Sequence, residues 1–189
     1  IKLLSLSCIE QVIKPDPRRW AGIDAGYFPF EWAVLYPHVR MTANLRNHKP
    51  DILFFAGDQV YEGASPTAAV FGQGAVEDYL YKWYLWCFTY RDLTTNIPSV
   101  TIPDDHDVYH GNIWGSGGRA TPPGLQGAAA QDAGGYKMSP RFVNMVQKTQ
   151  TSHLPDPADP RPADQGISVY FTECNVGGVS LAVVEDRKF

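Results

Sequence analysis

The stretch "PDILFFAGD", residues 50–58, indicates the fold most directly. A run of apolar side chains lies between Pro50, which marks its entry, and Gly57, which marks the turn at its end. A short apolar run between two such breakers is typical of a strand that is buried on both faces, as in a parallel sheet. The acidic Asp58 follows this strand directly.

The segments on either side predict an α/β fold. "IKLLSLSC", residues 1–8, and "PSVTIPDDHD", residues 98–107, are predicted as two further buried strands. Residues 30–48 have apolar side chains at helical spacing, with Pro37 starting a new helix or kinking the first. An aromatic-rich helix is predicted over residues 75–96. This alternation of strands and helices predicts a mostly parallel sheet.

The second half of the chain changes character. Residues 111–166 are rich in Gly and Pro around a helical stretch at 139–153, and we expect an insertion or lid there that carries specificity. Residues 168–186 then predict a hairpin, with two β-rich runs around Gly177 and Gly178. The sequence begins inside one apparent strand and ends just after another, so residues 1–189 are expected to form one partial domain.

Composition narrows the possible functions. The chain has 189 residues, of which 44% are hydrophobic and 13% aromatic, enough for one domain with a core. Its net charge of -4 provides no basic field for a nucleic acid backbone. No apolar stretch approaches the roughly 20 residues that a membrane-spanning helix needs. The three cysteines are odd in number and far apart, so no disulfide framework is predicted.

Polar side chains stand at the end of each of the first three predicted strands. These ends are Ser7-Cys8, Gly57-Asp58 and Asp104-Asp105-His106. Ligands of parallel α/β sheets gather outside the carboxyl ends of the strands, so the three groups should converge on one rim. Thiolate, carboxylate and imidazole groups are metal ligands, and a cation would relieve the repulsion among the consecutive ionisable side chains of residues 104–107.

Each residue alone also has a simpler interpretation. Cys8 could be a small buried hydrophobic residue, Asp58 a turn cap, and Tyr61 a packing aromatic. The run Asp-Asp-His-Asp after an apolar strand is harder to explain as a solvated loop. The joint placement at successive strand ends favours a metal site.

Several motifs resemble the alkaline phosphatase D (PhoD-like) family of the calcineurin-like metallophosphoesterases. In order they are "LSC" ending at Cys8, "AGYF" at 25–28, "PDILFFAGDQVYE" at 50–62, "IPDDHDV" at 102–108 and "VVEDRKF" at 183–189. The pairing of "GD-x-x-Y" with "DDHD" is the most specific of them, and together they run almost the whole length of the chain. The resemblance implies a four-layer α/β-β/α sandwich, incomplete here, with a multinuclear metal centre.

The resemblance also implies roles for the metal ligands. Asp58 matches the carboxylate that bridges two metals, while Cys8 and Tyr61 match the ligands of ferric iron, with calcium as companion ion; a different metal pair stays open. Asp105 stands where most metallophosphoesterases have the Asn of "GNH[DE]", and Asn112 is a further candidate ligand. The family's later "G[DH]-x-H" histidine ligands have no counterpart before the sequence ends.

The implied activity is hydrolysis of phosphate mono- or diesters by a metal-bound hydroxide. His106 matches the histidine that hydrogen-bonds the phosphate or protonates the leaving group. Arg119 and Arg187 could hold a phosphate bidentately, or could be a solvated loop residue and a salt-bridge partner of Asp186. The resemblance further implies an extracytoplasmic protein. The sequence does not identify the small phosphoester substrate.

Two other functions are compatible with parts of the sequence. In a serine esterase of the GDS type "GD" is followed by the nucleophile, but Gln59 occupies that position here. A non-catalytic phosphoester- or glycan-binding module could associate through the aromatic helix. Packing in the core explains the aromatic residues of this helix better than an exposed surface for association does. These residues are Trp83, Tyr84, Trp86, Phe88 and Tyr90.

Overall fold

The computed structural model describes residues 1–9, 38–62, 74–109, 119–125, 127–185 and 188. The elements are β1 Leu3–Leu6, α1 Val39–Asn47, β2 Ile52–Ala56, α2 Ala75–Thr94, β3 Ser99–Ile102, a 3-10 turn His106–Val108, α3 Gly127–Asp132, α4 Pro140–Thr151, β4 Pro162–Asp164, β5 Ile167–Ser168, β6 Phe171–Val176 and β7 Val179–Val184. The predicted first helix is confirmed over Val39–Asn47. Its earlier part, with Pro37, lies outside the described residues.

Strands β1, β2 and β3 form the predicted parallel sheet in that spatial order. Leu4 pairs with Leu53 and Phe55 with Thr101, so all three strands run in one direction and end at one edge. Strands β6 and β7 form the predicted antiparallel hairpin, and β4 and β5 form a separate small antiparallel pair. The chain is therefore mixed α/β, with helices and a hairpin around a three-stranded parallel sheet.

The two faces of β2 pack against different layers. Leu53 and Phe55 face α2, where the Phe55 ring meets Trp86 edge to face at a centroid distance of 4.7 Å. Ile52, on the opposite face, packs in a cluster with Val183 of the hairpin. Burial on both faces explains why β2 is a continuous apolar run, since successive side chains of a strand point to opposite sides.

Helix α2 supplies most of the aromatic packing. Trp86 and Tyr90 are 4% and 0% exposed, which confirms core packing for these two, whereas Tyr84 is 61% exposed. Glu77 and Asp78 in its first turn complement the helix dipole. None of the described helices combines the length and the apolar character needed to cross a bilayer.

Helix α4 lies inside the Gly/Pro-rich segment but belongs to the core. Ser139 caps its N-terminus by accepting a hydrogen bond from the N–H of Phe142, and Pro140 occupies the first turn, where its missing N–H is harmless. Val143 and Val146 are fully buried in a cluster with Tyr109. The helix contacts β3 and the 3-10 turn. The proposed lid over residues 111–166 stays a prediction.

Candidate metal site

The carboxyl ends of β1, β2 and β3 bring the predicted ligands together. The N–H of Cys8 donates to the carbonyl of Gly57 at 3.3 Å, joining the end of β1 to the end of β2. Cys8 and Asp58 both have a φ of the left-handed region, 57° and 58°. Such backbone is uncommon for residues other than Gly and concentrates at functional sites. The backbone after β1 and the backbone after β2 therefore both turn sharply at the residue that carries a proposed ligand atom.

Gly57 allows the loop after β2 to touch the loop after β3. Its φ is +92°, and a Cβ at this position would lie 2.3 Å from the Cβ of Asp104. Only a residue without a side chain can adopt this backbone and leave that space open. The glycine of "AGD" is therefore required by the close approach of the two loops that carry Asp58 and Asp105.

The side chains converge on Asp58. Potential ligand atoms of Asp58, Asp105 and His106 all lie within 4.8 Å of one another. The Cys8 thiol donates to Asp58 Oδ2 at 3.3 Å, and the Tyr61 hydroxyl donates to the same oxygen at 3.2 Å. The structure thus assembles the predicted ligands Cys8, Asp58, Tyr61 and Asp105 and the predicted catalytic His106.

The cluster accumulates acidic groups that are hard to ionise together. Burial raises the pKa of Asp58, and burial together with the charge of Asp58 raises the pKa of the Tyr61 phenol. The hydrogen bond with Ser7 lowers the pKa of the Cys8 thiol, but burial and the neighbouring Asp58 outweigh it, so that pKa is raised as well. A bound cation would reverse these shifts and favour the anionic ligands.

His106 is held from two sides. Its Nδ1 lies 2.8 Å from Glu62 Oε2, and its ring stacks on that of Tyr61 at a centroid distance of 4.6 Å. Burial lowers the pKa of His106, but the hydrogen bond to Glu62 and the charges of Glu62, Asp58 and Asp105 raise it to about 9. Since Nδ1 is engaged by Glu62, Nε2 is the nitrogen available to a ligand.

The residues present fit a metal ion. Asp58 Oδ1 is buried and has no hydrogen-bond partner among the described residues. Buried polar atoms are normally hydrogen-bonded, so such an oxygen needs another partner. Thiol, phenol, carboxylate and imidazole donors together suit a transition metal beside a harder cation.

The sequence alone does not single out Asp107 or Gln150. Asp107 is one of four consecutive ionisable residues, but it is 0% exposed and accepts hydrogen bonds from backbone N–H groups of both loops. Burial raises the pKa of Asp107 to about 7, although donors at Asp104 and Gln150 lower it. In a run of four ionisable residues, the sequence does not distinguish a metal ligand from a residue that holds the loops in place. Gln150, on α4, is far from the motifs in sequence.

Glu62 belongs to the motif "PDILFFAGDQVYE", but the sequence alone indicates no role for it. Only the fold brings it to His106, 44 residues away in sequence. Gln59, the residue in the nucleophile position of the esterase alternative, is buried and structural. Its Nε2 donates to the Ile102 carbonyl at 2.9 Å and to Gln150 Oε1 at 3.0 Å.

Three further residues were predicted for the site: Arg119, Asn112 and Arg187. Arg119 is exposed, and its carbonyl accepts the N–H of Tyr136 at 2.8 Å. Asn112 and Arg187 lie outside the described residues. The roles of these residues stay predictions. The three cysteines are free.

Comparisons with known proteins add no relative. No family model matches the chain, and neither the curated proteins nor the solved structures give a match. The resemblance to the PhoD-like family therefore rests on the motifs of the sequence. The parallel sheet is compatible with that resemblance.

Proposed function

We propose that the protein hydrolyses phosphate mono- or diesters with metal ions held at the carboxyl edge of the parallel sheet. The observation that carries this proposal is the convergence of Asp58, Asp105 and His106 within 4.8 Å, with Cys8 and Tyr61 both bonded to Asp58. By its motifs the protein is a PhoD-like phosphatase with an α/β-β/α sandwich, acting outside the cytoplasm.

The ligand set suits two ions of different character. Asp58 Oδ2 faces the thiol of Cys8 and the phenol of Tyr61, while Asp58 Oδ1 has no hydrogen-bond partner among the described residues. The family resemblance proposes ferric iron and calcium. Cys8, Asp58, Tyr61 and Asp105 would hold them, with Asn112 as an additional ligand. When bound, the ions supply Lewis-acid activation of water and neutralise charge on the phosphoryl oxygens.

His106 is the proposed proton donor of the reaction. The Glu62 carboxylate accepts the Nδ1–H and stacking on Tyr61 fixes the ring plane, so Nε2 is left to hold a proton against a phosphoryl or departing oxygen. Positioned proton donors of this kind are typically worth about 10²- to 10⁴-fold in rate. Arg119 and Arg187 are proposed as additional phosphate contacts.

The test compares two aspartates at opposite ends of β2. Asp58→Asn removes the proposed metal bridge, and Asp51→Asn is the matched control, since Asp51 is exposed just before the strand. Hydrolysis of p-nitrophenyl phosphate and bis(p-nitrophenyl) phosphate is measured with iron and calcium. Asp58→Asn should lose on the order of 10²-fold or more, because metal stabilisation of a transition state amounts to several kcal/mol.

An unchanged rate in Asp58→Asn would exclude the metal bridge. Hydrolysis that survives EDTA would favour a serine esterase. Wild-type protein that contains no stoichiometric metal and hydrolyses neither ester would favour the non-catalytic binding module.

A further inference from the structure

Asp107 connects the two loops that carry the site. Its Oδ2 accepts the N–H of Asp58 at 2.7 Å and that of Asp104 at 2.9 Å. Its Oδ1 accepts the N–H of Gln59 at 3.1 Å and that of Val60 at 2.9 Å. The contacts on one side come from the loop after β2, and the contact with Asp104 comes from the loop after β3.

This arrangement fixes the distance between the two groups of ligands. The loop after β2 carries Asp58 and Tyr61, and the loop after β3 carries Asp105 and His106. A single carboxylate bonded to the backbone of both loops makes any relative shift break several charge-assisted hydrogen bonds at once. Because Asp107 is fully buried, water cannot replace those bonds.

Helix α4 holds the carboxylate in its orientation. Gln150 Nε2 donates to Asp107 Oδ1 at 2.8 Å, and Gln150 Oε1 accepts from Gln59 Nε2 at 3.0 Å. The Gln150 carbonyl in turn accepts the hydroxyl of Thr101 on β3. Gln150 is itself 0% exposed, so its amide has no solvent alternative. The orientation of Asp107 is therefore set by a helix on which no proposed ligand lies.

We propose that Asp107 is a positioning residue that sets the metal affinity of the site by fixing the spacing of the two ligand-bearing loops, with Gln150 orienting it. This inference rests on the proposed function, because it requires a metal between the loops. Residues that orient metal ligands typically change metal affinity about 10- to 100-fold when they are substituted.

The experiment titrates chelator-treated protein with Co²⁺, whose absorption spectrum reports the coordination geometry. Asp107→Asn keeps the shape but presents an NH₂ group to backbone N–H donors. It should weaken Co²⁺ binding about 10- to 100-fold and alter the spectrum. Gln150→Met removes the orienting donor and should weaken binding in the same direction by less. Val146→Ala, which opens a cavity on the same helix, is the control for lost stability.

The outcomes separate this inference from the proposed function. Wild-type protein that binds no Co²⁺ would exclude both. If the wild type binds Co²⁺ and Asp107→Asn binds it equally well with an unchanged spectrum, Asp107 is only structural and the inference is wrong. Equal weakening in Val146→Ala at a matched melting temperature would also overturn it, since general loosening would then explain the effect. If Asp107→Asn does not fold, binding by Gln150→Met decides.

Discussion

Charged side chains are buried at one end of the parallel sheet and exposed at the other. At the carboxyl edge Asp58 and Asp105 are 5% and 4% exposed and lie close together. At the amino end Arg46 and Asp92 form an ion pair at 3.3 Å whose side chains are 58% and 62% exposed. Opposite charges are paired in solvent at the amino end, whereas at the carboxyl edge two carboxylates are buried close together beside His106.

The two ends of the sheet are therefore expected to contribute differently to folding stability. Exposed pairs contribute little, and their loss is easily tolerated. Buried carboxylates destabilise a fold unless donors or cations compensate them, so the carboxyl edge depends on its supports. Asp107, Gly57 and the pair Asp78–Lys82 are such supports, since each holds a backbone segment that carries a proposed ligand.

The largest expected effect comes from the buried pair behind Tyr61. Lys82 Nζ lies 2.8 Å from Asp78 Oδ2 and donates to the Tyr61 carbonyl at 3.1 Å. Lys82→Met leaves the Asp78 carboxylate buried without its cation, and we expect a loss of about 3–5 kcal/mol in the free energy of unfolding. Urea denaturation measures it.

The double variant Asp78→Asn/Lys82→Met is the control for this pair. It should recover more than half of the loss, because no charge is then left unpaired. A cost below about 1 kcal/mol for Lys82→Met alone would place this pair with the exposed ones and remove the contrast.

Gly57→Ala should be the next most damaging change. The added Cβ would meet Asp104, and the φ of +92° is strained for alanine, so we expect a loss of roughly 2–5 kcal/mol in the free energy of unfolding. Gly124→Ala is the matched control, with a φ of +87° and nothing within 4 Å of its Cβ. It should cost only the backbone strain, about 1 kcal/mol. Equal losses in the free energy of unfolding for the two variants would show that the close contact with Asp104 does not affect stability.

Neutralising Asp58 should have the opposite sign. Burial raises the pKa of Asp58, which means that its ionised form is disfavoured in the folded protein. In EDTA, Asp58→Asn is therefore expected to raise the free energy of unfolding by about 1 kcal/mol. Added metal should raise the melting temperature of the wild type but not that of the variant. A variant less stable than the wild type in EDTA would show that the Asp58 carboxylate does not destabilise the folded protein.

The smallest effect is expected at the amino end. Arg46→Met removes one partner of the exposed pair with Asp92, and we expect a loss of about 0.5 kcal/mol or less, which salt should abolish. Denaturation at low and high ionic strength measures both quantities. A loss above about 2 kcal/mol would mean that the two ends of the sheet do not differ as described.

Much of the fold could be predicted because its signals are local. Pro50, Gly57 and the apolar run between them define β2 within a few residues. In the same way, the spacing of apolar residues and the residues at turns define α2 and the hairpin. The core position of α4 cannot be read from the sequence, because the Gly- and Pro-rich segments on either side of this helix suggest an insertion. Only packing against Tyr109 and its neighbours shows that this helix is part of the core.

The candidate site was predictable to the level of residue type and position along the chain. Three strands with polar ends imply a shared rim, and this rule alone brought Cys8, Asp58 and Asp105 together. The rule cannot say which way a side chain points. Asp105 and Asp107 are two residues apart and chemically identical, yet Asp105 lies among the proposed metal ligands while Asp107 binds the backbone of both loops.

The sequence by itself determined the order of the three parallel strands, of α1, α2 and α4 and of the hairpin, but not α3, β4 or β5. It also determined the edge where polar groups gather and most of the residues there. The tertiary structure decided which of these side chains bond to one another and which support the loops from behind. The physical reason is range. Turns and periodicity depend on neighbours in the chain, whereas Asp58 and Gln150, which bind Asp107, and Glu62, which binds His106, are more than 40 residues away from them. Such contacts exist only once the sheet and α4 have packed.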